Sequence, residues 1–327
     1  MGMADTVTKA YMRKYNIFAD AFNYLIYEGK PVVDPERLRE VDTTEIALPF
    51  GPQENGQSND LVQKYRDILK SAVVMQEDEA AYILLGLENQ TDIHYAMPVR
   101  NMIYDALQYG KQVADTAANH RKNDKSFRKR TSGEYLSGFY KEDVLKPVVT
   151  LVIHFGADEW DAPLSLHEMM GTQNEKLMHY VQDYQIHLID PAKLTEEDLK
   201  KFTSSLREVI EYIKYSKDKE KLSRILKDNS RMLIDREAAL VIKTITNTAI
   251  EISEKEEKID MCKAIDDMLS EREVKGEIRG IEIGELRMLV KQVKKGRLTI
   301  EEAAEDAAMG VEEFRNVTDD IVVDSLN

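Results

Sequence analysis

Residues 66–90, RDILKSAVVMQEDEAAYILLGLENQ, decide the fold of this chain. Two apolar runs, 67–75 and 80–90, flank a short polar link at 76–79. Aliphatic and β-branched residues dominate both runs, which is typical of two strands joined as a hairpin. The near-continuous apolar content of residues 82–87 further predicts a strand that is covered on both faces, as in the centre of an α/β sheet.

The hairpin predicts that two carboxylates share one face of the sheet. If the link is a symmetric four-residue loop, Met75 pairs with Ala80 and Asp67 stands opposite Glu88. Directly opposed residues have Cβ atoms about 5 Å apart. Gln90 points the same way as Glu88, because side chains alternate along a strand. One face is therefore expected to carry Asp67, Glu88 and Gln90.

Two carboxylates this close in an apolar sheet repel each other and lose hydration, so a cation between them is expected. Mg²⁺ suits such a site, since it uses one or two protein carboxylates and keeps several waters. Those remaining positions leave room for phosphate oxygens and an attacking water. The residues alone leave a second interpretation open, an edge hairpin whose polar ends emerge into solvent.

The pattern Asp67 … Glu88-Asn89-Gln90 resembles the PD-(D/E)xK nuclease signature, with Gln90 where a lysine is usual. Together, the segments LLGLENQ, MPVRNMIYDALQY and KPVVTLVIHFGADEWDAPLSLHEM are similar to the Rpn family of recombination-promoting nucleases and transposases. The resemblance runs from about residue 10 to 200 and extends into the tail. It implies an α/β fold with a restriction-endonuclease-like core and a mixed central sheet. It also implies an endonuclease that cuts DNA with Mg²⁺ or Mn²⁺ in recombination or transposition.

The resemblance implies roles for individual residues. Asp67 and Glu88 would ligate the metal, and Gln90 would orient the reactants. The Gln90 amide carries no charge, so activation of water would depend on the metal and solvent. Arg100 and Tyr104, on the helix after the hairpin, match family positions and would contact phosphate or brace the fold, with bracing the preferred role for Tyr104.

Residues 7–28 are predicted to form one amphipathic helix with a separate polar face that includes Asp20. In nucleases of the resembled class the first helix often lends an acidic group to the site. Asp20 is therefore a candidate catalytic residue. The alternative is that it belongs to a solvated polar face.

One concentrated positive segment, residues 120–130, connects the helix predicted at 97–119 to the strand predicted at 147–155. It holds six Lys and Arg residues against one acidic residue: Arg121, Lys122, Lys125, Arg128, Lys129 and Arg130. Basic residues gain affinity for a polyanion by releasing its counterions. The segment is therefore a candidate DNA contact near the acidic site. The alternative is a solvated loop.

Composition limits the remaining possibilities. The 327 residues carry a formal net charge of −15, which argues against an indiscriminate nucleic-acid coat protein but not against a DNA enzyme. The single cysteine, Cys262, excludes an intrachain disulfide and suits a reducing cytosol. The sequence shows no signal peptide and no apolar run of the roughly 18 residues that span a membrane. We therefore expect a soluble cytoplasmic protein.

The sequence predicts three parts, a nuclease-like domain at 1–194, an all-helical module at 195–270, and a charged helical tail with a short terminal helix pair at 271–327. The tail carries glycines at steps of four, Gly276, Gly280 and Gly284. Each glycine costs a helix about 1 kcal/mol relative to alanine. A flexible tail and close self-association through this helix both remain open.

No GxSxG, GxxxxGK[ST] or HExxH motif offers a competing chemistry. Two hypotheses follow. The first is a metal-dependent DNA endonuclease with DNA as its partner. The second is a catalytically weakened binding or assembly protein that keeps the fold and works through its acidic helical tail.

Overall fold

The structure is a computed structural model, and it describes residues 2–41, 44–46, 63–65, 67–76, 79–123, 130–171, 174–227 and 229–323. The chain forms two compact units, Met1–Cys262 and Lys263–Asn327. The predicted boundary at residue 194 falls inside the first unit.

The first unit contains a five-stranded mixed sheet, in the order β1-β4-β5-β6-β7. The strands of the chain are β1 (Arg39–Glu40), β2 (Thr44–Ile46), β3 (Gln63–Tyr65), β4 (Ile68–Gln76), β5 (Glu79–Gln90), β6 (Val148–His154), β7 (His187–Ile189), β8 (Leu233–Asp235) and β9 (Lys258–Asp260). Strand β4 is antiparallel to both of its neighbours, β1 and β5, whereas β5, β6 and β7 are parallel to one another. The predicted α/β fold with a mixed central sheet is confirmed.

The hairpin of β4 and β5 has the predicted register. Met75 pairs with Ala80, and the pairing continues without a bulge to Ile68 opposite Leu87. The predicted four-residue link is wrong, because Gln76 pairs with Glu79 and both belong to the strands. Strand β5 is central, with β4 on one side and β6 on the other, and Leu87 is completely buried. This register could be predicted from the sequence because alternation and a short loop are both local properties of the hairpin.

The described part of the chain also forms helices of very different lengths. They are α1 (Met3–Met12), α2 (Tyr15–Tyr27), α3 (Met97–Asn123), α4 (Ser132–Ser137), α5 (Glu175–Met178), α6 (Glu196–Leu199), α7 (Leu206–Tyr215), α8 (Lys219–Leu226), α9 (Arg236–Thr246), α10 (Met261–Lys294), α11 (Ile300–Asp306) and α12 (Val311–Val323). Helix α3 connects β5 to β6 and makes the predicted parallel crossover. Within the described residues, no helix has the length and apolarity to cross a membrane.

The prediction of a single helix at 7–28 is wrong, because the chain breaks between α1 and α2. The buried Lys70 of β4 donates a hydrogen bond from Nζ to the main-chain oxygen of Arg13 at 2.6 Å. The same ammonium lies 3.9 Å from the centre of the Tyr15 ring and 4.8 Å from that of Phe18. The last carbonyls of a helix lack intrahelical donors, and Lys70 supplies one from a distant strand.

Residues 195–262 are mainly helical, but the prediction that residues 195–270 are all-helical is wrong. Strands β8 and β9 pair antiparallel on either side of α9. This segment also packs onto the N-terminal helices, since the Tyr11 hydroxyl is 3.0 Å from Ser205 Oγ and Lys14 Nζ is 2.7 Å from Glu237 Oε2. These contacts explain why it belongs to the same compact unit as the sheet.

The second unit has its own small core. Ala303, Ala304 and Phe314 are buried, and aliphatic residues of α10, α11 and α12 pack around them. Thr299 caps α11 in a capping box with Glu302. The predicted short terminal helix pair therefore forms with apolar support from the end of α10.

Candidate active site

The ends of β4 and β5 bring two acidic residues together. Asp67 directly precedes β4, and Glu88 lies near the end of β5, so the register places them opposite each other. The main-chain N–H of Asp67 lies 3.4 Å from Glu88 Oε1, and the N–H of Asn89 donates to Asp67 Oδ2 at 2.8 Å. Asp67 is 9% exposed and Glu88 is 0% exposed. We name Asp67 and Glu88 the carboxylate pair.

Each member of the carboxylate pair meets a cation from a helix. Lys9 Nζ, from α1, is 2.8 Å from Asp67 Oδ1. Arg100 Nη2, from the first turn of α3, is 2.9 Å from Glu88 Oε2. The sequence predicted a divalent cation between the two acids, and that cation stays a prediction. In the structure each acid forms an ion pair with a protein cation.

Both cations are held in their charged form. Burial by itself would lower the pKa of Lys9, but hydrogen bonds and charge from Asp67 and Asp5 raise the pKa above its usual value. Burial likewise opposes the charge of Arg100, whereas Glu88, Tyr104 and Asp67 together raise its pKa. An opposite charge within a few ångström favours the ionised form in this way. The site therefore contains a network of alternating charges.

The sequence interpretation missed Lys9. This residue lies in α1, far along the chain from Asp67, and no local pattern links the two. Its one sequence signal is an acidic residue four positions earlier, Asp5, whose Oδ2 is 3.0 Å from Lys9 Nζ. Pairs with this spacing are common on helix surfaces, so the spacing alone does not indicate a site.

Gln90 extends the strand that carries Glu88. It lies in register with His154 of β6, and its main-chain oxygen accepts a hydrogen bond from the Phe155 N–H at 2.7 Å. The side chain of Gln90 is half-buried, and strand alternation directs it to the same face as Glu88. Its role in orienting reactants stays a prediction.

Arg100 was predicted to contact phosphate or to brace the fold. The structure shows a bracing contact, because its guanidinium binds the fully buried Glu88 and lies 5.6 Å from the ring centre of Tyr104. About a quarter of the Arg100 side chain is exposed, at 28%. Contact with phosphate stays a prediction.

Asp20 lies in a different environment from the one predicted. It is 3% exposed, so the expectation of a solvated polar face is wrong. Its carboxylate accepts hydrogen bonds from the main-chain N–H and hydroxyl groups of Thr203 and Ser204, at 2.6 to 3.1 Å. These contacts fix the turn before α7, and none of them supports the predicted catalytic role.

The described part of the basic segment lies away from the carboxylate pair. Arg121 and Lys122 are exposed in the last turn of α3, and the Arg130 guanidinium is 5.7 Å from the ring centre of Tyr140. An α-helix rises 1.5 Å per residue, so Arg121 lies roughly 30 Å from Arg100 along α3. The expectation of a basic cluster beside the acids is wrong for these residues. Lys125, Arg128 and Lys129 lie outside the described residues.

The carboxylate pair fits a hard divalent cation in its chemistry. Carboxylate oxygens are the ligands that Mg²⁺ prefers, and one or two of them suffice. Each oxygen has two lone pairs, so one existing hydrogen bond does not exhaust it. In the part of the chain that the structure describes, no group of three or more His, Cys, Asp or Glu residues is placed to hold a metal. The remaining coordination positions would belong to water or substrate.

Comparison with models of known protein families gives a match. The model of a family described as "Putative transposase, YhgA-like" (Transposase_31) matches residues 53–239, more than half of the chain. The matched range includes the carboxylate pair and Gln90 and begins after Lys9 and Asp20. No curated protein and no solved structure matches the chain.

Proposed function

Because the chain belongs to the YhgA-like putative transposase family, we propose that it hydrolyses phosphodiester bonds in DNA as a divalent-metal-dependent endonuclease. The observation that carries this proposal is the carboxylate pair at the ends of two adjacent central strands, with Gln90 next on the same face. The proposal places the reaction in recombination or transposition, and the lone Cys262 suits the cytoplasm.

The protein groups hold the reacting centre in place. Asp67 and Glu88 would bind Mg²⁺ or Mn²⁺. When bound, the cation supplies positive charge toward water and the phosphate oxygens. The N–H of Asn89 fixes the Asp67 carboxylate, and Arg100 fixes that of Glu88. Strand ends keep such groups in position better than a mobile loop does.

The reaction adds water across one phosphodiester bond. A water oxygen forms a new bond to phosphorus, and the bond from phosphorus to one sugar oxygen breaks. The sugar oxygen leaves as a hydroxyl after taking a proton from solvent, and the water proton passes to solvent. The Gln90 amide has both donors and an acceptor, which suits it to orient the attacking water.

The DNA contact must be local, because the chain as a whole is acidic, with a net charge of −15. The exposed Arg121 and Lys122 and the partly exposed Arg100 are the described basic residues that we assign to phosphate contact. Binding through a few basic side chains weakens steeply as salt is added. Plasmid binding and cutting should therefore both be measured at low and at physiological salt.

Nicking of supercoiled plasmid tests the proposal. We expect cutting with Mg²⁺ or Mn²⁺, none in EDTA, and a loss of about 100-fold or more in Asp67→Asn and Glu88→Gln, because each removes a ligand charge. Asp34→Asn is the matched control, since Asp34 is a partly exposed aspartate whose carboxylate contacts the nearby Arg37 and accepts a hydrogen bond from the Glu36 N–H. Cutting that persists in EDTA, or that is equal in Asp67→Asn, would refute the proposal.

One observation favours the alternative function. Lys9 and Arg100 already neutralise the carboxylate pair, as they would in a protein that keeps the fold for binding or assembly. In that case the wild-type chain would bind plasmid without nicking it, at every metal concentration tested.

A further inference from the structure

The site lacks a positive charge at residue 90. In the signature that this sequence resembles, the position two residues after the second acid usually holds lysine, and here it holds Gln90. The amide of Gln90 donates hydrogen bonds but carries no net charge. Phosphate oxygens gain negative charge during hydrolysis, and a fixed positive group beside them lowers the barrier. Another part of the chain would have to supply that group.

Lys9 is placed to supply it. Its ammonium is 2.8 Å from Asp67 Oδ1 and 3.0 Å from Asp5 Oδ2, so two carboxylates fix its position from α1. The Lys9 side chain is 19% exposed, which leaves it within reach of a substrate while most of it is shielded. Charges in such partly shielded sites act more strongly than charges in bulk water.

Two other buried or half-buried cations, Arg100 and Lys70, have different roles. The Arg100 guanidinium compensates the fully buried Glu88. Lys70 donates to the Arg13 carbonyl at the end of α1, and its register places it on the face opposite Glu88. A lysine ammonium is also a compact point charge, like that of the lysine in the resembled signature, whereas the Arg100 guanidinium is planar and is already assigned to phosphate contact.

We infer that Lys9 is a catalytic residue that supplies, from α1, the positive charge absent at residue 90. Its ammonium donates a hydrogen bond to the phosphate oxygen that gains charge as water attacks, and it transfers no proton. The inference rests on the proposed endonuclease function. The family match does not assign this role, since Lys9 precedes the first matched residue.

The first test is single-turnover nicking with the full-length chain. We expect Lys9→Ala to cut about 100-fold more slowly than wild type, the usual effect of removing one charge-stabilising donor. The double variant Lys9→Ala/Gln90→Lys should cut at least tenfold faster than Lys9→Ala, because it regains a positive charge at the other end of the site. Lys14→Ala is the control, since Lys14 pairs with Glu237 and Asp235 instead, and it should cut at the wild-type rate.

The second test separates catalysis from support of Asp67. Calorimetric titration of the DNA-free chain with Mn²⁺ should show equal or tighter binding in Lys9→Ala, because a charge that opposes the metal has been removed. If Lys9 only holds Asp67 in place, Mn²⁺ binding should weaken instead. Thermal unfolding of each variant identifies the folded fraction to which rates are normalised.

The outcomes are distinguishable. Slow cutting with retained Mn²⁺ binding, restored by Gln90→Lys, supports the inference. A Lys9→Ala variant that cuts like wild type overturns it and leaves the endonuclease proposal intact. Slow cutting with weakened Mn²⁺ binding and no restoration overturns it in favour of a structural role. A wild-type chain that does not cut with either metal overturns both proposals.

Discussion

Asp20 and Asp67 are both buried aspartates, yet their partners differ. Asp67 binds one ammonium group and one main-chain N–H, whereas Asp20 is surrounded by the N–H and hydroxyl groups of Thr203 and Ser204. The strand neighbours of Asp67 were predictable, because they depend on the register of a short hairpin. Its partner Lys9 and the partners of Asp20 were not, since they lie far along the chain.

Asp20→Asn should lower the free energy of unfolding by about 3 kcal/mol, because the amide nitrogen faces N–H and hydroxyl donors that need an acceptor. Urea unfolding measures the change. Nicking per folded molecule should stay at the wild-type level. A folded Asp20→Asn protein that no longer cuts would restore the catalytic role predicted from the sequence.

Lys70 makes stability depend on pH. Burial lowers the pKa of its ammonium to about 8, with Arg13 adding to the effect and Glu40 opposing it. Between about pH 8 and its usual 10.5, the native state has released this proton and the unfolded state still binds it. Stability rises with pH where the unfolded state binds more protons. The stabilisation that comes from the deprotonated Lys70 is therefore complete above the pKa of the unfolded state. It is lost as pH falls toward and through the pKa of the native state.

We expect the wild-type chain to gain stability relative to Lys70→Met as pH rises from about 8 to 10.5. The gain should be a few kcal/mol at most, since each pKa unit corresponds to about 1.4 kcal/mol. Urea unfolding at several pH values measures it. Lys30→Met, which removes an exposed lysine, should show no such trend, and a flat difference for Lys70→Met would contradict the interpretation.

At the scale of elements, the sequence predicted what is local. The β4–β5 hairpin and the α3 crossover were predicted, because alternation, loop length and helical periodicity are patterns within short windows of sequence. The break between α1 and α2 was not predicted, and the Lys70 side chain that contacts it comes from a distant strand. The sequence interpretation also missed β8 and β9, three-residue strands separated by a helix, which are too short to show a pattern.

Helix α10 continues through the glycine row without interruption. A methyl group added at Gly284 would meet no atom within 4 Å. We expect Gly284→Ala to stabilise the helix by about 1 kcal/mol, seen as a higher thermal midpoint by circular dichroism. Gly310→Ala lies between α11 and α12 and should lack this gain.

The same variant tests self-association. If the glycine row packs closely against a second copy, Gly284→Ala would weaken that contact, and sedimentation velocity would show a smaller species at equal concentration. An unchanged sedimentation coefficient together with higher stability would argue against close packing at this position.

At the scale of the whole molecule, two units with separate cores suggest separate tasks. The carboxylate pair and both of its cations lie in the first unit. A chain that stops after Ser270 should therefore unfold cooperatively and nick plasmid at nearly the full-length rate. If the acidic tail is the working part, as the assembly hypothesis holds, the shortened chain should lose its activity or its partner while it stays folded.

The length of α3 has a consequence for substrate size. In this helix of 27 residues, Arg100 beside the carboxylate pair and the exposed Arg121 near the far end lie roughly 30 Å apart. Duplex DNA rises about 3.4 Å per base pair, so an oligonucleotide that touches both ends of this helix must be about nine base pairs long. Fragments shorter than that would contact only one end of α3. The proposed cutting should therefore become slower as the fragment becomes shorter, regardless of base sequence.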